Sequence, residues 1–159
     1  MSYPETKCFL VDRVGWDKEA GQTRFRIVDS GEEFLGYRPG MMFYETDIED
    51  GWRKKLAGET REDGSLIEYP FERYWHFGPD NRILAVVCPN GQLWRIDSYC
   101  SNCTRREELH SCWCRHGTAP NITVNKTPND GETTCAAGAG SIQADDYHGF
   151  LQNGVLTAG

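Results

Sequence analysis

Six of the seven cysteines fall between positions 88 and 135: Cys88, Cys100, Cys103, Cys112, Cys114 and Cys135. Three of the four histidines, His110, His116 and His148, lie in the same C-terminal half. Thiolate sulfur and imidazole nitrogen are the donors that Zn²⁺ takes in a tetrahedron, and a structural site uses four of them. Cys100-Ser101-Asn102-Cys103 has C-x₂-C spacing, which places two sulfurs on one ion in a tight knuckle. Cys112-Trp113-Cys114 is a C-x-C pair. On the expectation that an extended chain turns its two cysteines apart, only one of them faces an ion. There are more candidates than one ion needs, so the residues point to a zinc site and leave open which four hold it.

Two other uses of the cysteines compete. Disulfides need an oxidising compartment, and the N-terminal stretch Met1 to Lys7 has no apolar signal-peptide core. Cys8 and Cys88 each sit in an apolar run, where a free thiol packs as a small hydrophobe. Catalytic zinc patterns are missing: there is no H-x-E ahead of P-C-x-x-C and no H-E-x-x-H. Thiolate-rich sites are structural by preference. The small-residue run Ala136 to Ser141 lacks the lysine of a phosphate-binding loop, and Ser141 is not in a G-x-S-x-G elbow. Asp145-Asp146, ahead of Tyr147-His148, reads as a solvated turn. A metallohydrolase-like enzyme using His148, His116 and Asp146 is the enzymatic alternative. The chain is otherwise expected not to be an enzyme.

Strands and tight turns must position these residues. Cys8 to Val11 and the alternating Arg24 to Val28 read as strands, and Met41 to Tyr44 is an apolar run after the turn Arg38-Pro39-Gly40. Ile83 to Cys88 and Leu93 to Asp97 flank Pro89-Asn90-Gly91, and Asn-Gly favours a tight hairpin turn. His148 to Leu151 and Val155 to Thr157 flank Asn153-Gly154 in the same way. A short helix is predicted over about 47 to 57, from the capping box Thr46-Asp47-Ile48-Glu49 and the stripe Ile48, Trp52, Leu56. The expected fold is mainly β (α+β with little helix), with loop-rich antiparallel hairpins around the metal site. The 159 residues form one domain, 1–159, whose C-terminal half, about 82–159, is stapled by the metal.

The net charge of −7 argues against nucleic acid as a partner, since counterion release needs clustered Lys and Arg. No apolar run approaches the roughly 18–20 residues of a membrane span. The expected partners are therefore other proteins, in an oligomer or larger assembly, with aromatic segments at 41–44 and 69–77 as core or contact surface. Synthesis is expected in the cytoplasm.

From about residue 72 to the end, the chain resembles uncharacterised proteins encoded by tailed bacteriophages, prophages and some bacteria. The resemblance rests on Gly78-Pro79-Asp80, Trp94-Arg95-Ile96-Asp97-Ser98, Ser101-Asn102-Cys103, Cys112-Trp113, Arg115-His116-Gly117, Pro120 to Val124, Thr134-Cys135, Ala137 to Ile142, His148 to Leu151 and Asn153-Gly154. Its end also looks like small zinc-binding domains of unknown function. The resemblance implies a phage-type accessory protein with Cys103, Cys112, Cys135 and His148 as metal ligands. Cys88, Cys100 and Cys114 stand as local additions in that comparison, with Cys100 as the reserve ligand. A non-enzymatic structural or interaction protein is then expected, a head, neck or tail accessory of a virion, with a cytosolic host-takeover or regulatory binder as the alternative.

Overall fold

The structure, a computed structural model, describes residues 3–45, 78–80, 82–100, 103–104, 110–134 and 140–159. The predicted helix over 47–57 and the aromatic segment 69–77 lie outside the described residues. Those described form strands, turns and loops without a helix, in agreement with the mainly β expectation. The strands are β1 (Thr6–Lys7), β2 (Phe9–Asp17), β3 (Gln22–Ile27), β4 (Glu33–Leu35), β5 (Met41–Tyr44), β6 (Leu84–Val87), β7 (Leu93–Arg95), β8 (Cys114–Thr118), β9 (Asn121–Asn125), β10 (Ile142–Ala144), β11 (Tyr147–Gln152) and β12 (Val155–Ala158).

Six strands form one sheet in the order β4-β3-β2-β5-β6-β7, four form another in the order β1-β12-β11-β10, and β8 and β9 pair alone. Pairing is antiparallel except between β2 and β5, where Phe9 and Leu10 run parallel to Met41 and Met42. In β5 and β6, Met41, Met42, Phe43 and all of Leu84 to Val87 are buried, because both faces of these central strands are covered. Such strands read as continuous apolar runs. One face places Met42, Leu84 and Val86 in a core with Ile122, Val124, Ile142, Tyr147, Leu151 and Leu156. The other joins Met41, Phe43, Ala85 and Val87 to Val11, Phe25 and Phe34. The first core thus draws on both halves of the chain.

Both predicted hairpins form. The β11–β12 turn uses Asn153 and Gly154 at φ 48° and 74°, the pair of positive angles that the tightest hairpin turns require. The β6–β7 turn uses Gly91 at φ 87°. The final turn is also a joint. Gly154 N–H donates to Ile122 O at 2.9 Å, and Gly154 O accepts from Cys8 N–H at 2.7 Å. A Cβ at Gly154 would stand 2.6 Å from Pro120 O.

Candidate metal centre

After β7 the chain reaches Asp97, whose Oδ2 accepts the Leu84 N–H at 2.9 Å. Cys100 follows three residues on, and its carbonyl accepts the Cys103 N–H at 3.2 Å. The chain returns through His110 and Cys112 and enters β8 at Cys114. Ser111 is fixed between the two donors: its N–H donates to Thr133 O at 2.7 Å, it bridges Thr134, and its Oγ donates to Glu132 Oε2 at 3.1 Å.

The sulfurs of Cys100, Cys103 and Cys112 lie within 4.8 Å of one another. In a tetrahedron with metal–sulfur bonds of about 2.3 Å the sulfurs stand roughly 3.8 Å apart, so a small contraction around an ion suffices. Among the described residues this is the one group of three or more His, Cys, Asp or Glu whose donor atoms converge. His110 turns Nε2 towards it, 3.3 Å from Cys103 Sγ and 3.4 Å from Cys112 Sγ. Cys100, His110 and Cys112 are buried, at 4%, 4% and 1% exposure. Cys103 is half-buried.

The surroundings hold the loop in place. Lys126 Nζ donates to Cys112 O and lies 5.0 Å from the Trp113 ring centre. Trp113 packs edge-on to Trp94, with centroids 5.2 Å apart. At the base of the loop, Arg115 Nε donates to both oxygens of Asp97 at 3.0 Å. The same guanidinium reaches Asp80 Oδ1 at 2.5 Å and Arg82 O at 3.0 Å. Gly78 gives it room, since a Cβ there would strike the guanidinium. Burial pushes the Asp97 carboxyl up, against the pull of Arg115. Burial also raises Asp80, but the hydrogen bond and charge of Arg115 outweigh it and hold that carboxyl below its ordinary value. Asp80, Asp97 and Arg115, scattered in sequence, clamp both ends of the segment that carries the cysteines.

Of the expected ligands, Cys103 and Cys112 are in the converging group. Cys100, held in reserve, stands there as a full member. Cys135 lies outside the described residues; Thr134 before it is bridged to Ser111. His148 is on β11, where buried and exposed residues alternate from Tyr147 to Gln152. That alternation turns His148 to solvent, its Nδ1 3.1 Å from Gly159 O. Cys114 is buried at the start of β8 and outside the converging group. Strand alternation does not explain this, because residues two apart share a strand face; residues 112 and 113 instead form a bend before β8 begins. His110 was among the candidates read from the sequence but not in the expected ligand set, although His-x-Cys at 110 and 112 is the spacing that sets two donors on one side of an extended chain.

The residues of the enzymatic alternative are engaged elsewhere. His116 Nε2 is 2.9 Å from Asn125 Oδ1. Asp146 accepts from Tyr3 OH at 2.5 Å and from Asn90 Nδ2 at 2.9 Å. Cys8 and Cys88 are buried free thiols in the first core, and burial pushes each up to about 12.

Comparison of the chain with family models, curated proteins and solved structures finds no match in any of the three. Among the described residues no helix is long and apolar enough to cross a membrane.

Proposed function

We propose that this chain is a non-enzymatic structural or interaction protein in which one Zn²⁺, held by the cysteine group, ties together the two ends of the loop between β7 and β8. The convergence of three sulfurs, two of them nearly inaccessible, supports this most directly. Thiolate suits zinc among the common ions, and a closed thiolate-rich site is the structural kind, whereas a catalytic one keeps a position open to substrate. Ligands gathered from a folded loop couple metal binding to folding. The sequence resemblance to phage-encoded proteins points to a virion accessory role, in which protein partners take the exposed surface.

Elemental analysis of the native protein, with a free-thiol count before and after denaturation in chelator, tests the staple. One zinc per chain is expected, with thiols at the site that become reactive only once the ion is removed. A metal-free protein whose site cysteines are oxidised would refute it. Mass spectrometry of purified phage particles tests the setting. The chain is expected among the particle proteins, and its confinement to the host cytosol would favour the regulatory-binder alternative.

A further inference from the structure

We propose that His110 Nε2 is the fourth ligand, so that C-x₂-C-x₆-H-x-C over residues 100–112 is a complete Cys₃His centre. The inference rests on the metal reading above and assigns the donor that reading leaves open. Zinc–nitrogen bonds of about 2.0–2.1 Å and zinc–sulfur bonds of about 2.3 Å at the tetrahedral angle set nitrogen and sulfur roughly 3.5 Å apart. The observed 3.3 and 3.4 Å from Nε2 to two of the sulfurs match that edge. The imidazole is itself buried, 4% exposed, with its ring 5.9 Å from that of Tyr99. A buried ring nitrogen needs a partner, and the direction of Nε2 makes the sulfur cluster that partner.

The backbone prepares the same arrangement. Ser111 is pinned by Thr133 and Glu132, and Cys112 O is held by Lys126. The two donors on either side of Ser111 therefore arrive as a unit. His148 has no comparable placement, since it faces solvent from β11 and its Nδ1 lies against Gly159 O. Two rival roles remain for test. In one, His110 donates an N–H to thiolates of a four-sulfur centre completed by Cys135; in the other, His148 supplies the nitrogen.

Zinc K-edge absorption on the full chain loaded with Zn²⁺ separates these. The expected first shell is three sulfurs and one nitrogen, with the outer-shell scattering of one imidazole. In H110C the nitrogen shell is expected to give way to a fourth sulfur with zinc retained. C135S and H148A are expected to keep the three-sulfur, one-nitrogen shell. H110A should weaken zinc binding beyond the roughly 10–100-fold that loss of an outer partner brings. A four-sulfur shell in the wild-type protein would overturn the assignment while leaving the metal reading intact. So would an imidazole signal that survives in H110C or disappears in H148A. If H110A does not fold, H110C decides. A wild-type chain that takes up no zinc would sink the metal reading and this assignment with it.

Discussion

Arg115 shows how much rests on one side chain. Its guanidinium is 4% exposed and faces Asp97, exposed to the same small degree. Removing one partner from a buried pair strands the other charge, at a cost of about 3–5 kcal/mol. Arg115→Met is therefore expected to lower stability by about that amount in urea unfolding. Adding Asp97→Asn should restore part of it, since Asn removes the stranded charge and keeps an acceptor for the Leu84 N–H. Equal stability of the single and double variants would mean that the charge pair is not what holds the loop base. Asp146 acts in the opposite environment, at the surface, where the Tyr3 hydroxyl and the Asn90 amide hold its carboxyl below the ordinary range. Its folded value is depressed, so its contribution is present above the unfolded value of about 3.9 and is lost as pH falls through the folded one. Tyr3→Phe should therefore reduce stability near neutral pH, and the difference from wild type should shrink in acid. A difference that stays constant down to pH 2 would count against the Tyr3–Asp146 bond as its source.

At the scale of elements, two glycines in similar turns make a controlled comparison. Gly91 and Gly154 both have positive φ, but a Cβ at Gly91 meets nothing within 4 Å. At Gly154 it would press on Pro120 O. Gly91→Ala is expected to cost about 1–3 kcal/mol from backbone strain alone. Gly154→Ala should cost more, since it also breaks the joint to β9 and Cys8; thermal midpoints of the two variants check the order. These turns were legible because Asn-Gly states its backbone angles locally. The β6 run was legible because a strand covered on both faces is apolar throughout. The β8–β9 hairpin was not: Cys114 to Thr118 is mostly polar, without the alternation that marks a strand. Neither was the β1–β12 pairing nor the parallel contact of β2 with β5, whose partners are chosen by packing across the molecule. At the candidate site the C-x₂-C knuckle could be read from spacing. The place of His110 was missed, because three histidines competed for the role and the His-x-Cys spacing at 110 and 112 was not weighed.

For the whole molecule, two cores with different dependence on the site imply graded unfolding. Among the described residues, the core of Val11, Phe25, Phe34, Met41, Phe43, Ala85 and Val87 includes none from the 98–114 segment. The other core includes Ile122 and Val124 of β9, and β9 pairs with β8 immediately after that loop. Chelation is expected to open residues 98–118 to hydrogen exchange first. Amides of β3 and β5 should stay protected until global unfolding. Uniform loss of protection on chelation would show that the staple holds the entire fold rather than one side of it.

The pairing of Thr6 and Lys7 with Leu156 and Val155 has a consequence in time. A ribosome releases β1 first and its partner β12 almost a full chain later. Until then the N-terminal strand has an unmatched edge, and Cys8 has no Gly154 carbonyl to receive its N–H. The six-stranded sheet can assemble earlier, since its strands lie within the first 95 residues. Closure of this pair therefore waits for the synthesis of β12, and pairing at such sequence separation is slow. Nascent chains stalled before residue 155 are expected to leave the amides of Thr6 and Lys7 open to hydrogen exchange, and chains that extend through β12 to protect them.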